Sequence, residues 1–181
     1  MLFRSVRWWR KGYPSSTGRC FDIGNTTRQA LTRFENTDQP LAGSTMTETA
    51  GNGSLMRLAP VVIAFAGHPR EAVRLAGKSS ETTHGAVEAV DACRYFATLL
   101  LGAFQGLSKE ALLDPARVDQ LGHWHRAPLD PRIRAVARGS FRRGTIRGSG
   151  YVTESLEAAL WAFATTADRS EEHTSELQSP C

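Results

Sequence analysis

The sequence has few cysteines and no long apolar run, and both absences limit what the protein can be. Its three cysteines, at positions 20, 93 and 181 of 181 residues, lack the spacing of a metal site or a disulfide framework. We interpret them as free thiols in a reducing compartment. The longest apolar runs, Leu58–Phe65 and Phe96–Leu101, are much shorter than the ~20 residues that a membrane-spanning helix needs.

The first residues also lack the features of a secretion signal. Residues 1–10 are basic and contain no apolar stretch of the kind found in a signal peptide. Hydrophobic residues make up 41% of the chain and charged residues 22%, which is ordinary for a soluble globular domain. The sequence therefore predicts a cytoplasmic protein without a membrane partner.

The last residues, 169–181, differ from the rest of the chain. They are polar and aperiodic, and they follow a segment with a clear helical pattern. They resemble the translation of a common sequencing-adapter oligonucleotide, so we leave them out of the fold prediction. The predicted organisation is a partial domain over 1–168, followed by an artefact over 169–181.

Apolar residues recur at helical spacing through most of the chain, and no segment shows convincing strand alternation. The longest predicted helix carries an apolar stripe that begins at Val87. Asp22 or Asn25 is placed to cap an early helix. Helices are predicted over 1–11, 22–34, 61–65, 69–76, 85–104, 108–113, 115–121, 131–138 and 152–165. The predicted fold class is all-α.

A glycine-rich segment, Gly51–Pro60, stands immediately before an apolar run. Its glycines allow positive φ and close approach of a ligand to the backbone, and Asn52 or Ser54 can cap the helix that follows. Free N–H groups at such a helix start form a phosphate-binding site, to which Arg57 would add a bidentate hydrogen-bond donor. The alternative is a simple turn before a buried helix.

Two other side chains are candidates for a role in chemistry. Asp22 either caps a helix or places a carboxylate beside a ribose, where it would bind hydroxyls or orient a leaving group. His84 follows a polar run and is either a surface or capping residue or a contact to a phosphate or ribose oxygen.

A basic cluster near the C-terminal end offers an alternative function. Basic residues with an interleaved aromatic are typical of nucleic-acid or phosphate binding, although a solvated helix face has the same composition. No helix-turn-helix, zinc or single-strand-binding motif accompanies the cluster, so we do not expect nucleic acid as a partner. His123-Trp124-His125 lacks metal-ligand spacing and is interpreted as a loop. The cluster consists of Arg132, Arg134, Arg138, Phe141, Arg142, Arg143 and Arg147.

Four segments in this order resemble the ADP-ribosylglycohydrolase family of the dinitrogenase-reductase-activating type. The segments are Ser16–Thr27, Gly51–Pro60, Ser80–His84 and Ser149–Val152 leading into Leu156–Phe163. The resemblance covers most of residues 8–165. It implies an all-α fold with a dinuclear Mg²⁺ or Mn²⁺ site. The implied reaction is hydrolysis of the glycosidic bond joining ADP-ribose to a protein side chain or a small acceptor.

The resemblance also implies roles for particular residues. The family's phosphate and ribose loop falls on Gly51, Asn52, Gly53, Ser54, Met56 and Arg57, and its ligand-contacting histidine falls on His84. Its substrate-side aspartate, the candidate catalytic residue, falls on Asp22.

This sequence departs from the family in its acidic clusters. The two clusters that hold the metals in the family have no counterpart here, so no metal ligand is assigned to this chain. Hard divalent cations need carboxylate oxygens, and no other acidic cluster takes their place. We therefore expect Met1 to be internal to a longer gene and this chain alone to be inactive. The alternative function is a non-catalytic module that binds ADP-ribose-like or nucleic-acid ligands.

Overall fold

The computed structural model describes residues 2–122, 127–139 and 146–166, and in these ranges the chain is helical. The helices are α1 (Leu2–Lys11), α2 (Asn25–Thr37), α3 (Gly53–Met56), α4 (Ala59–Ala64), α5 (Pro69–Glu81), α6 (Val87–Phe104), α7 (Lys109–Leu113), α8 (Pro115–Gly122), α9 (Pro131–Ala137) and α10 (Val152–Thr165), with a 3₁₀ turn at Thr47–Thr49. The described ranges contain no β-strand, only isolated bridges from Ser44 to His84 and from Gly51 to Tyr151. The prediction of an all-α fold is confirmed.

Helix α6 forms the centre of the larger hydrophobic core. It packs against α3, α4, α5, α8, α9 and α10. Small residues such as Ala89, Ala92 and Ala97 are fully buried along it, which lets the neighbouring helices approach closely. No helix in the described ranges has both the length and the apolar character needed to span a bilayer.

The first turn of α6 differs from the prediction. Val87 is 62% exposed, whereas Glu88, the next residue, is 5% exposed. The Glu88 carboxylate accepts hydrogen bonds from Arg132 of α9 and from the Tyr151 hydroxyl, the latter at 2.6 Å. A buried carboxylate needs such donors, and α9 and the start of α10 provide them. The apolar stripe predicted to begin at Val87 is therefore wrong at its first position.

A second, smaller core joins α1 to α2. Leu31 and Phe34 of α2 are buried there with Leu2 of α1. Arg10 and Glu35 form an ion pair at 2.7 Å across the outside of the same helix pair. Because this pair is solvent-exposed, the apolar contacts contribute most of the stabilisation.

Helix α2 begins three residues later than predicted. Gly24 occupies its N-cap position, and no side chain caps the helix. The Asn25 side chain instead accepts a hydrogen bond from Arg28 at 2.8 Å. Asp22 lies in the preceding loop with φ of 50°, a left-handed conformation that Asp tolerates better than most residues. The prediction that Asp22 or Asn25 caps α2 is therefore wrong.

Candidate ligand-binding site

A cavity of about 450 Å³ lies where the two cores approach each other. The smaller core contributes one face of α1 and residues 22–27, and the larger contributes residues 51–57, 83 and 84, with Gly150 completing the wall. This volume is typical of a site for a small organic ligand, for which cavities of roughly 300–1,000 Å³ are usual.

The cavity brings together most of the residues singled out in the sequence. Asp22 enters from the loop before α2, His84 from the α5–α6 junction, and the remainder from the glycine-rich segment. The predicted residues that line it are Asp22, Gly51, Asn52, Gly53, Met56, Arg57 and His84. Ser54 is the predicted residue that does not line it.

The Ser54 side chain faces the larger core. It is 1% exposed, and its hydroxyl is hydrogen-bonded to the Ser80 hydroxyl at 2.9 Å. The Cys93 thiol donates to the same oxygen at 3.4 Å, and burial raises the pKa of that thiol. These contacts join α3 to α5 and α6. The Ser54 hydroxyl therefore secures the loop, while its backbone remains at the start of α3.

Neither Gly51 nor Gly53 has a positive φ, so a left-handed backbone does not explain why glycine stands at these positions. Close packing explains it. A Cβ atom placed on Gly53 would lie 3.0 Å from Cε1 and 3.2 Å from Nε2 of His84. One placed on Gly51 would lie 3.3 Å from the same Nε2. The freedom to adopt positive φ is therefore not used here, and the close approach of the backbone is made to a protein side chain.

One backbone N–H of the predicted phosphate-binding site is hydrogen-bonded to another part of the protein. The Asn52 N–H donates to the Gly150 carbonyl at 3.0 Å, so it does not point into the cavity. Asn52 stands at the N-cap of α3, but its side chain makes no capping bond. The N–H groups of Gly53 and Ser54 have no acceptor among the residues that the structure describes. Gly53 lines the cavity and Ser54 does not, so the Gly53 N–H is the one of the two that can be offered to a ligand.

Arg57 is held by the protein rather than extended into the cavity. Its Nη2 atom donates to the Thr83 hydroxyl at 2.6 Å, to the Ser79 carbonyl at 3.1 Å and to the Thr82 hydroxyl at 3.3 Å. Its Nε atom is buried and has no partner in the described ranges. Burial lowers the pKa of the guanidinium, and no described carboxylate forms an ion pair with it. Arg57 thus places an uncompensated positive charge beside the cavity.

His84 is 3% exposed, and its Nδ1 atom lies 2.8 Å from the Thr83 hydroxyl. Burial, aided by the charge of Arg57, lowers the pKa of His84 to about 4. The imidazole is therefore neutral at physiological pH, so it can donate a hydrogen bond from one ring nitrogen and accept one at the other.

The backbone around His84 is fixed by two glycines. Gly85 N–H donates to the Ser44 carbonyl, and Gly43 N–H donates to the Glu81 carbonyl, both at 2.9 Å. A Cβ on Gly43 would lie 2.6 Å from the backbone nitrogens of both His84 and Gly85. Only glycine allows the two segments to come this close, and their contact fixes the direction in which His84 leaves the chain.

Nine lining residues were not singled out as site residues by the sequence analysis. Five of them follow Asp22 directly, at positions 23–27, and the others are Ser5 and Trp8 of α1, Thr83 and Gly150. Helical spacing places Ser5 and Trp8 on one face of α1, but spacing does not show what that face meets. Thr83 and Gly150 lie within two of the segments that carry the family resemblance, so their position in those segments could have identified them as site residues.

Two arginines of the basic cluster make contacts within the protein. Arg132 is paired with Glu88 and also donates to the Tyr151 hydroxyl at 3.1 Å, and Arg134 donates to the Leu129 carbonyl. Part of the cluster and two other predicted segments lie outside the described residues. These are Phe141, Arg142 and Arg143, the His123–His125 loop and the adapter-like tail 169–181.

The described residues do not fit the dinuclear metal site expected from the resemblance. No group of three or more His, Cys, Asp or Glu side chains comes together within the ranges described. The lining of the cavity contains a single carboxylate, that of Asp22. Two hard divalent cations need several oxygen ligands, so no metal-dependent step is derived from this chain.

Comparisons with known proteins lead to a single family. The family model described as ADP-ribosylglycohydrolase matches residues 1–176. Two ADP-ribosylarginine hydrolases named Tri1 are similar in sequence. The one from Serratia proteamaculans (strain 568) is 38% identical over 170 residues, which cover 91% of this chain and 44% of the relative. The one from Pseudomonas putida (strain GB-1) is 42% identical over 161 residues, which cover 87% of this chain and 41% of the relative.

A solved structure titled ADP-ribosylglycohydrolase-related protein complex has the same fold. It superposes with a TM-score of 0.74 at 39% identity, over 97% of this chain and 54% of that one. The chain therefore belongs to the ADP-ribosylglycohydrolase family. It spans less than half the length of the curated relatives that it matches.

Proposed function

We propose that this chain forms the ADP-ribose-binding part of a hydrolase that removes ADP-ribose from a modified side chain. The observation that carries this proposal is the single cavity in which Asp22, the Gly51–Arg57 segment and His84 meet. Family membership and the names of the two Tri1 relatives support arginine as the modified side chain.

The proposed binding mode assigns the pyrophosphate to the start of α3. The Gly53 N–H is available there, and Arg57 supplies positive charge from behind the loop. The guanidinium need not touch the phosphate, because a buried charge without a counter-ion acts over several ångströms. Met56, which is 78% exposed, lies at the edge of the cavity and would cover the ligand.

The ribose oxygens are assigned to the other two side chains. Asp22 is exposed in its loop and can accept hydrogen bonds from ribose hydroxyls. His84 is neutral and can donate to a ribose or phosphate oxygen from the nitrogen beside Gly51 and Gly53. Together they would hold the glycosidic carbon in a fixed position without reacting with it.

We further propose that the isolated chain binds ADP-ribose without hydrolysing it. Most glycoside hydrolases place two carboxyl groups on either side of the scissile bond, one acting as acid and the other as base or nucleophile. The described lining of the cavity supplies Asp22 alone. Mg²⁺ or Mn²⁺, the metals expected from the resemblance, would need ligands beyond the described residues.

Calorimetric titration of the purified chain with ADP-ribose tests the proposal, with AMP and ribose 5-phosphate as partial ligands. ADP-ribose should bind more tightly than either part, since it alone reaches both the α3 start and Asp22. The substitution Asp22→Asn should weaken the binding of ADP-ribose more than the binding of AMP. Equal affinity for all three compounds, or preference for DNA with steep salt dependence, would contradict the proposal and favour the basic-cluster alternative.

A second assay tests catalysis. The purified chain is incubated with an ADP-ribosylated arginine peptide, with and without Mg²⁺ or Mn²⁺, and free ADP-ribose is measured. We expect no release above that of a heat-inactivated sample. Metal-dependent release by this chain would show that the inactivity proposed here is wrong.

A further inference from the structure

The hydroxyl of Thr83 joins Arg57 and His84 in one chain of hydrogen bonds. Thr83 Oγ1 lies 2.6 Å from Arg57 Nη2 and 2.8 Å from His84 Nδ1. Both Thr83 and His84 are 3% exposed, so bulk water does not compete for these contacts. The three side chains come from two separate segments, the end of α3 and the α5–α6 junction.

The direction of each hydrogen bond follows from the chemistry of the groups. A guanidinium can only donate, so Thr83 Oγ1 accepts from Arg57. The hydroxyl keeps one proton to donate, and its acceptor among the described residues is His84 Nδ1. If Nδ1 carried the imidazole proton, the buried Thr83 proton would have no acceptor in the described ranges, at a free-energy cost. The network therefore favours an unprotonated Nδ1.

We propose that Arg57 and Thr83 are positioning residues that hold neutral His84 with its proton on Nε2, aimed at an oxygen of ADP-ribose. The identity of the ligand rests on the function proposed above, whereas the position of the proton rests on the hydrogen bonds alone. Nε2 is the nitrogen that lies beside Gly51 and Gly53, which both line the cavity.

The inference assigns Arg57 a role other than direct phosphate binding. Its shortest hydrogen bond is to the Thr83 hydroxyl at 2.6 Å, and the other Nη2 bonds anchor it to the C-terminal end of α5. Its charge also disfavours a second proton on the imidazole. Arg57 thus fixes the tautomer of His84 through Thr83, adds to the effect of burial in keeping the ring neutral, and acts on the ligand through that ring.

The direct test is the position of the imidazole proton in the whole chain. Long-range ¹H–¹⁵N NMR of ¹⁵N-histidine-labelled protein near neutral pH distinguishes a protonated ring nitrogen from an unprotonated one. His84→Gln identifies the resonances of His84. We expect Nε2 to be protonated and Nδ1 unprotonated; a proton mainly on Nδ1 overturns the proposal even if no variant can be made.

Three variants separate positioning from a structural role. Thr83→Val keeps the shape and removes the hydroxyl, Thr83→Ser keeps the hydroxyl, and Thr82→Val is the matched control. Thr82 also contacts Arg57 but donates to the Ser79 carbonyl and is not bonded to His84. We expect mixed tautomers of His84 only in Thr83→Val. If His84 has the same tautomer in a folded Thr83→Val protein as in the wild type, the proposal is contradicted.

Ligand affinity provides the second readout. ADP-ribose should bind about tenfold more weakly to Thr83→Val, the usual effect of losing one well-aligned hydrogen bond, and Thr83→Ser should restore binding. If Nε2 is protonated in the wild type but ADP-ribose does not bind, the proposed function fails while the tautomer assignment stands. If ADP-ribose binds and Thr83→Val has full affinity, the function stands and the positioning role fails.

Discussion

The buried neutral histidine makes the stability of the chain depend on pH in a predictable direction. The pKa of His84 is about 4 in the folded chain and 6.5 for an unperturbed side chain. Between these pH values the unfolded state binds a proton at His84 that the folded state does not bind. The contribution of His84 to the free energy of unfolding is therefore complete above about pH 6.5 and is lost as the pH falls toward 4.

The size of the effect follows from the shift. One pKa unit corresponds to about 1.4 kcal/mol, so the full effect on the free energy of unfolding is about 3 kcal/mol. Between about pH 7.5 and about pH 4.5 the loss should be about 2 to 3 kcal/mol. Arg57 is the charged group that acts directly on the ring, and Asp22 is the other charged side chain lining the cavity.

Urea unfolding at the two pH values, followed by circular dichroism, measures this loss. Other groups titrate in the same range, so the quantity of interest is the difference between wild type and His84→Gln. The variant should lose about 2 to 3 kcal/mol less than wild type on acidification. His68→Gln is the matched control for the removal of a histidine, because His68 is exposed at the start of α5 and does not line the cavity. Equal losses in wild type and His84→Gln would refute a depressed pKa at this position.

Two glycine substitutions test the packing that shapes the site. Gly53→Ala places a methyl group 3.0 Å from the His84 ring and should raise the Kd for ADP-ribose by about tenfold in calorimetry, since the ring must move. Gly43→Ala meets two backbone nitrogens at 2.6 Å and should lower the free energy of unfolding by about 1–3 kcal/mol, measured by urea titration. Gly67→Ala, whose new methyl group meets nothing within 4 Å, is the control for both. Wild-type affinity in the first or wild-type stability in the second would contradict the corresponding reasoning.

The sequence predicted the helices well because their signals are local. The last helix was predicted over 152–165, and α10 spans Val152–Thr165. Pro69 begins α5 as predicted, since proline is tolerated at the first helical position. These boundaries depend on residues adjacent in the chain, so one sequence is enough to find them.

The errors occurred where a distant partner decides the outcome. Val87 and Glu88 are neighbours, and helical periodicity favours burying the valine. The donors that make burial of Glu88 acceptable come from Arg132 and Tyr151, more than 40 residues away. No local pattern contains that information.

The candidate site was predicted as a set of residues but not as a network. Asp22, Gly53 and His84 were grouped by resemblance, and the structure places them around one cavity. The two hydrogen bonds that link Arg57 to Thr83 and Thr83 to His84 were not predicted, because the sequence shows that Thr83 is polar but not what its hydroxyl contacts.

The bridge between Gly51 and Tyr151 has a consequence for how the cavity assembles. Together with the bond from Asn52 to Gly150, it closes a loop of about one hundred residues, and closing such a loop carries an entropic cost. The cavity wall also includes Ser5 and Trp8 of α1, so a piece of the chain with the complete wall must run from α1 to Gly150. A ligand bound there would therefore stabilise the fold from α1 to the start of α10 as one unit, and protection from proteolysis should spread far beyond the residues it touches.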